Sequence, residues 1–290
     1  MAVTVSLKDL IESGAHFGHQ TRRWNPKMEE YLYGSRDGVH IFDLTKTKEK
    51  LDEVLSLLKK SAKNNETILF VGTKKQIKEK IKEVAKATDS FYINERWLGG
   101  LLTNFDQVKR SSVKLTDMKE KMAKGAYLDR TKKERVILER EIDRLERFFS
   151  GLVGLTKIPE IVIVVDIKRE SGAVYESNAL GATTIGIVDS NSDPTDVDFA
   201  IPMNDDASKA LEYVVELMGD AILEGKGKLK STEDKVVENK EEKRELEKTI
   251  KAKKKDSPKK EKKSAKKIIK KEDDNKKAKK EVKVKKEKNK

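Results

Sequence analysis

The sequence predicts an α/β domain built on a parallel sheet covered by helices, with a helical insertion and a separate C-terminal tail. Three observations carry this. Short runs that are apolar almost throughout alternate with amphipathic helical patterns, as expected of parallel strands buried on both faces. The alternation stops between about Phe105 and Ser150, where no strand signal remains. Past Gly227, the last glycine, the chain becomes a run of dense charge.

In chain order the strand runs are VHIFDL (39–44), TILFVG (67–72), FYIN (91–94), EIVIVVD (160–166), TTIGIVD (183–189) and FAIP (199–202). Between them lie helical stripes. Leu51, Val54, Leu55 and Leu58 form one, ending at Asn64–Asn65. Ile77, Ile81, Val84 and Ala85 form the next, opened by Thr73-x-x-Gln76, a pattern in which side chains cap the first free N–H groups. A last helix is predicted from Asn204–Asp205, with Ala207, Leu211, Val214, Met218 and Ala221 inward. In the insertion, Leu115, Met118 and Met122 repeat at three and four, and Leu138, Ile142, Leu145 and Phe149 resume after KGAYLDR. With Thr131-x-x-Glu134 as a second capping box, this predicts two antiparallel helices, a coiled-coil-like hairpin.

Charge divides the chain. Asp, Glu, Lys and Arg make up 40% of its 290 residues, against roughly 25% in ordinary globular domains. Residues 231–290 carry 26 Lys and Arg against 14 Asp and Glu, a net of +12, which leaves 1–230 at +1. The last aromatic residue is Tyr213. So little apolar surface cannot offset chain entropy, and 229–290 is expected to be a disordered Lys-rich tail. The expected domains are 1–228, containing the 105–150 hairpin, and this tail. Nucleic-acid binding by the body must rest on local clusters, because its net charge is small. The start MAVTVSLKDLIESG lacks the features of a secretion signal, and no run reaches the ~18 apolar residues of a membrane span. With no cysteine, disulfides and cysteine-based metal or redox chemistry are excluded.

Catalytic motifs are sparse. VGTKKQ follows a strand and opens a helix, where phosphates often bind, but Gly72 is the only glycine of the phosphate-loop pattern. Thr73 is expected to cap the helix, with Lys74 and Lys75 as exposed positive charge. His16 and His19 could flank a metal only with a distant carboxylate as third ligand, so structural or RNA-contacting roles are expected and no metal. Asp193, Asp196 and Asp198 are explained by a Ser-Asp-Pro turn. Asp166, Glu170 and Glu176 could form paired acid–base carboxylates, but helix caps and surface charges are the expected roles, because no nucleophile accompanies them.

The segment GAHFGHQTRRWNPKM (14–28) is different. It places His16, His19, Gln20, Arg22, Arg23, Trp24, Asn25 and Lys27 together, combining forked phosphate donors with rings that can stack on unpaired bases. The competing reading is a loop whose Trp24 folds back on the domain. In ERWLGGLLTN (95–104), Gly99 and Gly100 are expected to make a sharp turn pinned by Leu98, Leu101 and Leu102. Trp97 would sit at the hairpin base, with Arg96 and Asn104 facing RNA or stiffening the turn.

HFGHQTRRWNPKM, ILFVGTKKQ, RWLGGLLTNF, RTKKER and IVDSNSDPTDVDFAIPMNDDA, in this order, resemble the bacterial small-subunit ribosomal protein S-two family, from about Val5 to Glu224. The resemblance implies a flavodoxin-like three-layer α/β/α sandwich with five main parallel strands and a protruding coiled-coil hairpin. It also implies a cytoplasmic, ribosome-bound protein without catalytic activity, cofactor or small-molecule substrate, seated near the junction of head and body of the small subunit. Its implied partners are small-subunit rRNA, neighbouring ribosomal proteins and, in many bacteria, the mRNA-binding protein S-one. Two features depart from the family: NALGATTIG (178–186) stands where a G-[IV]-P loop is common, and the Lys-rich tail is not general.

The rRNA contacts expected of the body are the N-terminal segment, Lys74–Lys75, Arg96, Asn104 and Lys109–Arg110. Two other classes compete: a nucleotide-using α/β enzyme with a helical insertion, and a nucleic-acid-coating protein driven by its tail.

Overall fold

The computed structural model describes residues 4–127 and 129–227; the predicted tail lies outside them. Five strands, β4 (Ile68–Val71), β5 (Phe91–Ile93), β6 (Ile161–Val165), β7 (Thr183–Val188) and β8 (Phe199–Pro202), form a sheet in the order β5-β4-β6-β7-β8 with every pairing parallel. Phe70 sits opposite Tyr92 and Ile163, and Ile185 lies beside Ile163 and Phe199.

Because side chains alternate along a strand, each apolar run feeds both faces. Ile68, Phe70, Ile161, Ile163, Val165, Ile185, Ile187 and Ile201 pack on one side with α2 (Leu44–Lys63), α3 (Lys78–Thr88) and α7 (Ser208–Gly225). Leu69, Val71, Ile93, Val162, Val164 and Val188 pack on the other with α6 (Ser171–Ala179), Trp97, Leu101, Leu102 and Leu152. The result is a three-layer sandwich. On the first face α7 lies close against α2: a Cβ on Gly225 would stand 2.3 Å from the Lys59 carbonyl oxygen, so only glycine fits.

The VHIFDL run departs from expectation. It is β3 (Val39–Phe42), and it pairs antiparallel with β1 (Phe17–Gln20) and β2 (Leu32–Arg36) in a separate three-stranded sheet. The reason is local. Asp37 and Gly38 both have positive φ, 54° and 77°, the two-residue turn that joins antiparallel neighbours. The short helix α1 (Leu7–Glu12) precedes β1, with Ser6 accepting from the Asp9 N–H.

Helix ends also refine the sequence reading. Asp43 caps α2 through the Thr45 N–H. The Thr73-x-x-Gln76 box does not form, because α3 starts at Lys78 and Thr73 bonds elsewhere. The last helix begins at Ser208 rather than Asn204–Asp205, with the Asn204 side chain accepting from the Asp206 and Ala207 N–H groups ahead of it.

Between β5 and β6 run α4 (Phe105–Ala123) and α5 (Lys132–Phe149). Leu115, Met118, Ile142 and Leu145 form their shared apolar cluster, with Met122, Leu138 and Phe149 against it. At the start of α5, Thr131 and Glu134 form the reciprocal capping box.

Candidate nucleic-acid interface

In a parallel α/β sheet, ligands enter at the carboxyl ends of the strands, where strand order reverses. Here that point lies between β4 and β6, and it is occupied by the chain's own ions. The Lys74 ammonium lies 2.7 Å from Asp205 Oδ1, 2.8 Å from Asp206 Oδ1 and 2.9 Å from Asp166 Oδ2. It also donates to the Asp205 carbonyl oxygen at 3.0 Å. Lys74 is buried, not exposed as its place in a Lys-Lys pair suggested. Burial opposes its charge, but hydrogen bonds to Asp205, Asp206 and Asp166 outweigh that and hold it above the usual lysine range. Burial, with Asp189 and Asp166 nearby, pushes the Asp205 carboxyl up to about 7, against the pull of Lys74.

Asp166, Glu170 and Glu176 are likewise buried rather than surface charges. Asp166 adopts φ 65° and accepts from the Arg169 N–H. Glu170 accepts from the Thr73 hydroxyl, which in turn accepts from Arg169 Nε at 3.0 Å. These carboxylates repel a phosphate from the crevice, and Lys74, in the loop after β4, is spent on holding them together. Among the described residues, His19, Asp205 and Asp206 each bring one donor atom to within 4.8 Å of the others. Lys74 already bridges both aspartates, so as it stands the set is matched to an ammonium.

The N-terminal segment folds over this edge and divides by role. His19 turns inward: its N–H donates to Ser190 Oγ at 2.8 Å, and Nδ1 lies 3.0 Å from Asp189 Oδ1. The side-chain hydrogen bond to Asp189 raises the His19 pKa, against its desolvation. Trp24 is half-buried with its ring 5.0 Å from that of His40 on β3, so it does fold back on the domain. His16 stacks on Phe17 at 4.0 Å. Asn25 Oδ1 accepts from the Lys27 N–H, and Lys27 Nζ pairs with Asp193 at 2.7 Å. Gln20, Arg22 and Arg23 remain exposed, with Arg22 Nε donating to Gln20 Oε1.

After β5 the chain makes the turn anticipated at ERWLGGLLTN. Leu101 and Leu102 are buried, as is Trp97, and Leu98 packs beside them. Gly100 has φ 85°, which requires a glycine there, whereas Gly99 has open space around it and no special backbone. Arg96, Asn104, Lys109 and Arg110 are exposed, and so is Lys75.

Likeness to known proteins decides the family. The family model for Ribosomal protein S2 matches residues 10–225. Small ribosomal subunit protein uS2 of Dictyoglomus thermophilum is 46% identical over 222 residues, covering 77% of this chain and 90% of the relative. The chain belongs to the ribosomal protein S2 family. That family is one of structural ribosomal proteins, not enzymes, in keeping with the ion-filled crevice.

Seen as a ribosomal protein S2 family member, the chain carries basic groups beyond the expected rRNA contacts: two after β6 that its sequence patterns did not single out, and a stripe within TKKERV and LEREIDRLER, outer-face segments that the sequence leaves either solvated or touching a partner. Lys168 and Arg169 follow β6 and are exposed beside the acidic floor. On α5, Lys133, Arg140, Arg144 and Arg147 recur at sevens, fours and threes, so they line the face turned away from Ile142 and Leu145. All four are exposed, and none forms an ion pair or side-chain hydrogen bond with a described residue. Glu141 and Glu146 are instead drawn to Lys114 and Lys119 of α4. The outer face of α4 mixes Asp106, Arg110, Asp117 and Glu120, with Lys124 just past its end. The signal for the stripe was in the sequence, hidden because the acids of LEREIDRLER balance it until the helix separates them by face. No described helix is long and apolar enough to cross a membrane.

Proposed function

We propose that this chain is a structural constituent of the small ribosomal subunit that binds rRNA through the basic rim at the carboxyl edge of its sheet and through the outer face of α5. The observation that carries this reading is the separation of charge. Arg22, Arg23, Lys75, Arg96, Lys109 and Arg110, with the Lys133–Arg147 stripe, are exposed, while Asp166 and Asp205 of the same edge are buried around Lys74. The stripe extends about 21 Å at 1.5 Å per residue, long enough to follow several phosphates. Contacts of this kind read phosphate position and RNA shape rather than base sequence. The seat near the head–body junction, the protruding coiled-coil character of α4 and α5, and a share in anchoring protein S-one belong to the same reading. They rest on the family resemblance. The Lys-rich tail adds sequence-independent attraction that salt weakens.

The test is retention on small subunits depleted of their own copy, with sedimentation after washes of rising salt. The full chain and a 1–228 version are expected to be retained stoichiometrically. Arg140→Gln/Arg144→Gln/Arg147→Gln is expected to lower the slope of log affinity against log salt by about one for each phosphate no longer neutralised. Retention of the full chain at low salt only, with loss of 1–228, would transfer the function to the tail.

A further inference from the structure

The turn ahead of α4 is organised around an anion supplied by another element. Glu176 of α6 is buried, and its two oxygens take five hydrogen bonds from that turn. Oε1 accepts from Trp97 Nε1 at 3.0 Å and the Gly100 N–H at 2.8 Å. Oε2 accepts from the Leu102 N–H at 2.9 Å, the Thr103 N–H at 3.2 Å and the Thr103 hydroxyl at 3.3 Å. Asn104, at the helix N-cap position, makes no side-chain cap bond. The free N–H groups just before α4 therefore converge on a carboxylate, forming a backbone nest of the kind that binds anions, with the anion built into the chain. One turn earlier on α6, Gly172 lies against the indole: a Cβ there would stand 3.4 Å from Trp97 Cδ1, an ordinary contact distance.

We propose that Glu176 is the positioning residue of the helical insertion, its carboxylate fixing the direction in which α4 and α5 leave the sandwich. The consequence for RNA presentation rests on the rRNA reading above: Arg96, Lys109, Arg110 and the α5 stripe lie where they do because the turn is locked. The chemistry requires a carboxylate. A glutamine of nearly the same shape has one acceptor oxygen and an amide that donates, so part of the nest would face donor against donor. Packing alone would be indifferent to that exchange.

The experiment uses the full chain with Glu176→Gln. The protein has no cysteine, so Lys86→Cys on α3 and Glu120→Cys on α4, both exposed, accept a pair of spin labels whose separation reports the direction of α4. In the parent the distance distribution is expected to be narrow. In E176Q it should broaden or shift, and amide exchange at Gly100, Leu102 and Thr103 should quicken about tenfold or more, the effect of losing bonds to a charged acceptor, with β4 and β6 unchanged. An unaltered distance distribution, with or without faster exchange, would overturn the proposal and leave Glu176 at most a stabilising group. Should E176Q not fold, Trp97→Phe removes one of the five donors and is read by the same distances, a smaller broadening being expected and none overturning the proposal. The distances are taken on the free protein, so failure of the parent to bind depleted subunits would remove the rRNA reading while leaving this result to stand or fall alone.

Discussion

The crevice between β4 and β6 and the turn after β5 lie at the same edge of one sheet and are closed in opposite ways. In the crevice a cation, Lys74, is surrounded by the carboxylates of Asp166, Asp205 and Asp206. In the turn an anion, Glu176, is surrounded by N–H and O–H donors. Elsewhere in this class of fold, such places receive a phosphate or a substrate. Here both are filled from within, and the edge offers visitors its rim, where Arg22, Arg23, Lys75 and Arg96 stand exposed beside an open hollow lined by His19, Arg22, Arg23, Asn204 and Asp206. A structural ribosomal protein needs no substrate site at either place, and here both have become internal ties.

Removing either tie should damage the fold, the cation more than the anion's single partners. Lys74→Ala leaves buried carboxylates facing one another without their counter-ion, a class of change that costs about 3–5 kcal/mol; denaturant unfolding measures it. Lys74→Ala combined with Asp205→Asn is expected to recover part of that loss, because the second change removes one of the stranded charges. An unchanged midpoint for Lys74→Ala would mean that water, not the ammonium, satisfies the cluster. On the other side, Trp97→Phe keeps the ring packed against α6 but deletes one donor to Glu176. The expected cost is about 1.5–3 kcal/mol, the range for a bond to a charged acceptor, and the comparison breaks if this loss exceeds that of Lys74→Ala.

The two ties also differ in how far the sequence disclosed them. The parallel sheet was plain, because apolar runs such as ILFV and IVIVV can only be strands buried on both sides. The paired helices and the Thr131–Glu134 box were equally plain, because helical period and capping are local. What escaped was non-local. Lys74 and Lys75 are adjacent and identical in type, and only the arrival of Asp205 and Asp206, some 130 residues on, makes one internal and the other free. Glu176 looked like a surface acid because its donors lie more than 70 residues earlier. The antiparallel sheet is another matter: Asp37-Gly38 is a local hairpin signal that the apolar VHIFDL run overshadowed. At the candidate interface, chemistry was legible in Arg22, Arg23 and Arg96, whereas the inward turn of His19 and the pairing of Lys27 with Asp193 depend on the loop after β7.

A smaller effect sharpens the crevice further. The hydrogen bond to Asp189 raises the His19 pKa above its ordinary value near 6.5, despite desolvation. A base whose folded pKa exceeds the unfolded one contributes stability that is whole below 6.5 and is lost as pH rises through the folded value. The raised Asp205 carboxyl acts in the same sense, since its protonated form is favoured by burial and its contribution also wanes on the way up to about 7. Stability is thus expected to decline across this range. In Asp189→Asn, the His19 imidazole resonances should titrate at lower pH than in the parent, and the His19 share of the decline should vanish. A His19 titration unmoved by Asp189→Asn would show that the 3.0 Å approach to Asp189 carries no charge coupling.

The smallest expected effect on stability belongs to the residue next door. Lys75→Ala removes an exposed side chain with no ion pair among the described residues, so unfolding should shift by no more than about 0.5 kcal/mol, against several for Lys74→Ala. Binding should invert the order of interest. If Lys75 meets a phosphate, its removal weakens retention on small subunits and lowers the salt slope by about one, although the fold is untouched. If both lysines prove equal in unfolding, the internal tie is not where the geometry puts it. If Lys75→Ala leaves the salt slope unchanged, the rim at that point faces solvent or protein, and the phosphate contacts must be sought on α5 and at Arg22, Arg23 and Arg96.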